Sequence, residues 1–179
     1  MAAPSAPPGG QEQVEDKPKA EGDDDEQERE LAKSSRSNGF GDIQELLQAA
    51  YADSEYRTPI VLLLRDKSDS AALLNKFHRR NTPKGAKFAK LVRCPLGQGL
   101  EDDAEQQLLR ATACGDWILL ENLHLVDHWL PKLNDIIQKL RHGPELNPRF
   151  RVWIACAQAT NLPFDLLQRS IKIAIEPSK

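Results

Sequence analysis

The chain has 179 residues, 40% of them apolar, with a formal charge of −3 and three cysteines. That length accommodates one ordinary domain plus a tail, and the apolar share suits a globular core. No run of about 18 apolar residues occurs, MAAPSAPPGGQEQ lacks the order of a secretory signal, and Cys94, Cys114 and Cys156 form no C-x-x-C pair, so a membrane span, a secretory leader and zinc or redox chemistry are not expected.

The charge is unevenly spread. Residues 1–35 hold ten acids and four bases, which leaves 17 acids and 20 bases for the remainder, too small an excess to suggest nucleic-acid binding. Residues 1–38 carry almost no large apolar side chain and include EGDDDEQERE, so they cannot repay the entropy of ordering and read as a disordered acidic tail. A solubilising extension is the simpler role for it, and a docking arm for a basic partner the other. The three cysteines read as buried apolar residues.

From residue 39 onward helices and strands are expected to alternate. Asp42 and Glu45 resemble a capping box, and Ile43, Leu46, Leu47 and Ala50 share one helical face, which predicts a helix over 43–52. After Pro59, IVLLL at 60–64 suits a strand buried on both faces. A helix follows near 70–80, a strand near 88–94, a helix near 102–113 ended by Gly115, and a strand at 117–120. The next helix, 128–140, takes Asp127 as N-cap and carries a stripe of Trp129, Leu133, Ile136, Ile137 and Leu140. A strand at 151–155, a short helix opened by Pro163 and a strand at 171–175 complete the series.

This alternation predicts an α/β fold with a parallel sheet covered on both faces. The first, third and fourth strands are nearly all apolar and should be central, whereas FAKLVRCPL and IKIAI mix in charge and should lie outside them. That partition fits the order 5-1-4-3-2 of P-loop and AAA+ ATPases.

The chemistry expected of such a sheet is only partly present. A phosphate-binding loop would follow the first strand, yet RDKSDSAALL has no glycine from Arg65 to Ser70, and Lys67-Ser68 sits too close to the strand to close a G-x-x-x-x-G-K-[ST] pattern. Asp66 and Asp69 would repel a polyphosphate, so the turn reads as solvated, with a Ser or Asp helix cap. At the end of the third strand stands Glu121-Asn122, where a nucleotide hydrolase has Asp-Glu. Glu121 is a weak candidate for magnesium or nucleotide binding, but Asn122 cannot take a proton from water. After the fourth strand no polar residue comes before Gln158. His124 and His128 are four apart without the H-E-x-x-H pattern, and read as a turn residue and a first-turn helix residue rather than a metal pair. No catalytic residue, cofactor or metal is expected.

With the strands in place, the chain from about residue 58 to 179 resembles part of a dynein heavy chain, the large α/β subdomain of its sixth and last AAA+ module. The residues that carry the resemblance are Thr58-Pro59 before IVLLL, Leu96-Gly97-Gln98-Gly99, GDWILLENLHL with Trp117, Asn122 and His124, Phe150-Arg151-Val152-Trp153, Pro163-Phe164, Leu167-Gln168, Ile171-Lys172 and Glu176-Pro177. It departs from the family pattern at Glu121, where Gln is usual, at Pro163-Phe164, where Phe-Pro is usual, and at Ser178, where a second proline is usual.

The resemblance implies a ring module that lacks the phosphate loop and does not hydrolyse ATP, with the helical lid falling beyond Lys179. Motor activity is then not expected of this chain alone. Its implied partners are other heavy chain modules and dynein intermediate or light intermediate chains, with microtubules met only indirectly and neither nucleic acid nor membrane involved. The implied setting is the cytoplasm and cytoskeleton, or a cilium or axoneme. Two other readings stand beside it: a free-standing interaction module derived from dynein, and a divergent ATPase.

Overall fold

A computed structural model describes residues 40–65, 69–82, 89–143, 146–157 and 160–175, with side chains from residue 43. The expected tail, Asp66, Lys67, Ser68, Gln158, Glu176 and Pro177 lie outside the described residues. Helix α1 (Phe40–Asp53) leads to β1 (Ile60–Leu64), α2 (Ser70–Asn81), β2 (Leu91–Pro95), α3 (Glu101–Cys114) and β3 (Trp117–Glu121). Two 3-10 turns, Leu123–Leu125 and Asp127–Trp129, precede α4 (Leu130–His142), β4 (Arg151–Ala157), α5 (Phe164–Gln168) and β5 (Ile171–Ile175).

The strands form one parallel sheet in the order β2-β3-β4-β1-β5, the same arrangement as 5-1-4-3-2 read from the other edge. Because successive strand residues point to opposite faces, each central strand feeds two cores. One face carries Val61, Ile118, Leu120, Val152, Ile154 and Cys156 beneath α3, α4 and α5. The other carries Ile60, Leu62, Trp117, Leu119, Trp153 and Ala155 beneath α1 and α2. The result is a three-layer α/β sandwich in which β1, β3 and β4 are covered on both sides, which is why their runs are continuously apolar.

Several boundaries differ from the sequence expectation, each for a local reason. Helix α1 begins at Phe40, so Asp42 lies inside the helix and not at its N-cap. Strand β2 begins at Leu91 because Ala89 takes a left-handed conformation (φ 59°) that no strand residue adopts. Pro95 joins the end of β2, tolerated because this strand is an edge. Asp127 does not cap α4. The N-cap position of that helix is Trp129, and the chain passes through two 3-10 turns until Pro131, which lacks an N–H and belongs in a first helical turn, sets the start at Leu130. His128 accordingly sits in the second 3-10 turn rather than the helix. Cys94 and Cys156 are buried as expected, but Cys114, on the outer side of the last turn of α3, is exposed.

Gly115 ends α3 with φ 77°, and its N–H donates to Ala111 O at 2.9 Å. A Cβ there would also fall 2.5 Å from the Asn147 side chain, so both backbone and space call for glycine. Helix α4 ends on a different device, since the Arg57 guanidinium donates to the carbonyls of Arg141 (2.8 Å) and Gly143 (3.4 Å). A cation there answers both the open carbonyls and the helix macrodipole.

The left-handed Ala89 is held by His78, whose Nε2 donates to the Ala89 carbonyl at 2.6 Å while the ring packs edge-on against Trp117. A neutral imidazole makes that bond, and burial pushes the His78 pKa below its ordinary 6.5, with the Ala89 carbonyl and Asp116 opposing in part. The unfolded chain therefore takes up this proton first. The stabilisation is full above pH 6.5 and is lost as pH falls below that value and through the lower folded-state value. Denaturant unfolding compared at about pH 7.5 and about pH 5 should show the native chain losing more stability on acidification than His78→Gln. Equal losses in the two proteins would remove His78 from the account.

Candidate functional site

In an open parallel sheet, ligands bind outside the carboxyl ends of the strands, where neighbouring connections part to opposite faces. A crevice of about 490 Å³ lies there, lined by Leu64 and Arg65 after β1, Asp69 and Ser70 at the start of α2, Glu121, Asn122 and His124 after β3, and residues 155–157 of β4. The crevice lies where a parallel α/β sheet offers a ligand site, and its chemistry depends on the side chains that fill it.

Glu121 is the buried acid of this crevice, 8% exposed as the last residue of β3. Its carboxylate already has partners. Arg93 of β2 donates from Nε to Oε2 at 3.2 Å and from Nη2 to Oε1 at 3.4 Å, with Nη2 also 3.1 Å from Oε2, and Ser70 Oγ donates to Oε1 at 3.4 Å. A two-pronged arginine offsets the charge of the acid and, with Ser70, takes up three of its hydrogen bonds. Pairing follows from the parallel register: Arg93 is opposite Leu119, so Glu121 is its diagonal neighbour on the same face.

Asn122 has φ 60° and ψ 37°, and its exposed side chain follows from a backbone role, because asparagine tolerates the left-handed turn that leads β3 into the first 3-10 turn. His124 is exposed at the rim. His128 points elsewhere, with Nε2 3.1 Å from Glu101 Oε1 of α3, so the two histidines do not form a pair. Among the described residues no group of three His, Cys, Asp or Glu side chains is placed to hold a metal ion.

Asp69 Oδ1 accepts from the Ala72 N–H at 2.9 Å and so caps α2, directing its charge at the helix N-terminus where a phosphate would otherwise sit. Burial pushes the Cys156 thiol up to about 11, so at neutral pH it is protonated and a poor nucleophile. Cys94 is likewise raised to about 11, first by burial and then by Asp103 and Glu121.

The residues of the family pattern are spread over the scaffold and not gathered in one site. Gly97 O accepts from the Leu100 N–H at 3.1 Å across a turn in which Gly99 supplies φ 84°, and Gln98 is exposed at its tip. Trp117 and Trp153 are core residues with ring centroids 5.5 Å apart. Arg151 ties the start of β4 to Ser54. Lys172 Nζ donates to Leu167 O at 2.7 Å and to Ser170 O at 3.1 Å, closing α5, while Gln168 is exposed beside it. Sequence reasoning missed Arg93 and Ser70, the two groups that decide the state of Glu121. Strand register places Arg93 beside Glu121, whereas Ser70 is brought there by the start of α2.

A family model for the dynein heavy chain region D6 P-loop domain matches residues 55–174. The chain is 33% identical over 132 residues to dynein axonemal heavy chain 12 of Rattus norvegicus, which covers 73% of this chain and 4% of that protein. It is 32% identical over 133 residues to dynein axonemal heavy chain 3 of Homo sapiens, covering 74% of this chain and 3% of that protein. Human dynein axonemal heavy chain 10 is 33% identical over 130 residues, again 73% of this chain and 3% of the relative. The chain thus spans only a few hundredths of the length of these relatives. With well over half of its length matched to that model, the chain belongs to the dynein heavy chain family, in the region of the D6 P-loop domain.

Proposed function

We propose that this chain acts as a non-hydrolysing AAA+ module of a dynein heavy chain, contributing shape and contacts to the motor complex and its minus-end-directed movement on microtubules, with no motor activity of its own. The observation that carries this reading is the Arg93–Glu121 ion pair, which occupies the acid that a catalytic magnesium ion would need. The glycine-free turn between Arg65 and Ser70 and the Asn122 side chain, which cannot act as a base, support it further.

In this role the partners are neighbouring heavy chain modules and dynein intermediate or light intermediate chains, and microtubules are met only through the rest of the motor. The axonemal names of the relatives favour a cytoskeletal setting in a cilium. Isothermal titration with magnesium and ATP should give no micromolar binding, and single-turnover assays no hydrolysis. Hydrolysis that disappears in Glu121→Ala would overturn this reading in favour of a divergent ATPase.

A second reading, a free-standing module that binds motor subunits, is favoured by one feature. Leu100, Leu125 and Phe164, which follow β2, β3 and β4, are 47%, 54% and 76% exposed, so three large apolar groups stand after the carboxyl ends of adjacent strands. A monomeric chain that enriches no motor subunit from cell extract would end this alternative.

A further inference from the structure

Three connections leave the carboxyl ends of the adjacent strands β2, β3 and β4 for the same face of the sheet, where α3, α4 and α5 lie. Each exposes one large apolar side chain: Leu100 before α3, Leu125 in the first 3-10 turn and Phe164 at the start of α5. The connections are also tied to one another. His128 Nε2 lies 3.1 Å from Glu101 Oε1, Lys132 Nζ lies 3.5 Å from Asp102 and 2.7 Å from Glu105, and α5 packs against α4. A single exposed apolar residue needs no explanation, but one on each of three neighbouring connections marks a contact surface.

The charge around these groups has one sign. Asp102, Asp103, Asp127 and Asp165 are exposed within three residues of Leu100, Leu125 or Phe164, whereas residues 96–109, 111–131 and 152–168 contain no Lys or Arg. Lys132 reaches this side from α4, and Asp102 and Glu105 hold it. Arg93 is turned to Glu121 on the opposite face. The helix macrodipole accounts for acids in first turns, but not for the exposed apolar groups between them.

We propose that this face binds a basic amphipathic helix of a partner protein, its apolar stripe on Leu100, Leu125 and Phe164 and its Lys or Arg residues against the four aspartates. Neighbouring strands are about 4.8 Å apart, so the ends of β2 and β4 stand roughly 10 Å from each other, the distance between positions i and i+7 of a helix at about 1.5 Å per residue. A helix satisfies its own backbone, whereas an extended segment needs a free sheet edge, which the carboxyl ends of strands do not offer. A second copy presenting the same face, or a nucleic acid, would bring like charge to the aspartates. The inference rests on the reading of the exposed apolar groups as a binding surface and adds the chemistry of what they bind.

The test titrates the full chain into labelled synthetic peptides of about 14 residues, four helical turns, and reads fluorescence anisotropy. A peptide with leucine on one helical face and lysine on the other should bind with a Kd of about micromolar order. The combined substitutions Leu100→Ser, Leu125→Ser and Phe164→Ser should weaken binding about tenfold or more, and Asp102→Asn with Asp127→Asn and Asp165→Asn several-fold. Leu46→Ser with Leu109→Ser, at exposed leucines elsewhere on α1 and α3, should leave it unchanged. The same residues in scrambled order, or glutamate in place of lysine, should bind several-fold more weakly. Equal binding of the scrambled peptide, or undiminished binding by the serine variant, would overturn the proposal. So would binding lost on Asp23→Asn with Asp24→Asn and Asp25→Asn, which would place the peptide on the acid-rich segment, or a dimer abolished by the serine variant, which would give the face to a second copy. In the native chain the lysine peptide should shift the amides of Leu100, Leu125 and Phe164, a readout that stands even if the serine variant does not fold; shifts elsewhere alone would sink the proposal. Enrichment of motor subunits from extract tests the underlying reading separately, so a chain that enriches them but ignores the peptides fails only here.

Discussion

Trp153→Ala is expected to remove about 3–5 kcal/mol of unfolding free energy, the largest effect of any single substitution considered. Trp153 is fully buried in β4, which runs between β1 and β3 in the middle of the sheet. Its ring packs against Trp117 and, edge-on, against Phe77 at 5.9 Å, so truncation opens a hole bordered by both a neighbouring strand and α2. Close-packed interiors relax only partly into such a hole. Among the described residues the Trp153 Nε1 has no hydrogen-bond partner, so Trp153→Phe loses contact area but no polar interaction and should cost clearly less than alanine. Urea unfolding of the three proteins measures the series. A loss below about 1 kcal/mol for alanine would show that the aromatic cluster is not the centre of this face.

Arg151→Ala should cost about 2–3 kcal/mol through a different mechanism. The guanidinium donates from Nη1 to Pro148 O and Phe150 O, both at 2.8 Å, from Nε to Ser54 Oγ at 3.2 Å and from Nη2 to Ser54 O at 3.3 Å. It also stacks over the Tyr51 ring at 4.9 Å. One side chain thereby joins the end of α1 to the start of β4, 97 residues away in the chain, and satisfies three carbonyls. Burial lowers its pKa, with Tyr51 and Glu55 opposing, but a guanidinium remains charged at neutral pH. Arg151→Lys keeps the charge without the planar fork, and it should recover only part of the loss in the same unfolding assay. Full recovery would mean that charge alone, and not the hydrogen-bond geometry, holds α1 in place.

The candidate site was legible in outline only. The lack of glycine after β1 and the presence of Asn122 are facts of the sequence, and they already weakened the case for catalysis. What Glu121 does was not legible, because Arg93 lies 28 residues earlier and reaches it only through the pairing of β2 with β3. Similarly, Arg57 contacts the end of α4 across 84 residues, and no local pattern marks it as a cap.

Local boundaries failed where backbone geometry outweighed side-chain periodicity. The apolar stripe from Trp129 to Leu140 reads as one helix, yet Pro131 starts the α-helix at Leu130 and leaves Trp129 in a 3-10 turn. Ala89 gives no sign of a left-handed backbone, since alanine rarely adopts one. Its conformation depends on a bond from His78 in the preceding helix.

The sequence by itself determined the α/β class, the alternation of elements and the division into central and edge strands, because burial on both faces demands uninterrupted apolar runs and burial at an edge does not. The tertiary structure alone decided which long-range polar groups meet: Arg93 with Glu121, Arg57 with the end of α4, Arg151 with Ser54. Hydrophobic patterning is periodic and therefore readable along the chain. The pairing of a buried charge depends on strand register and loop closure, which bring together residues that no local rule connects.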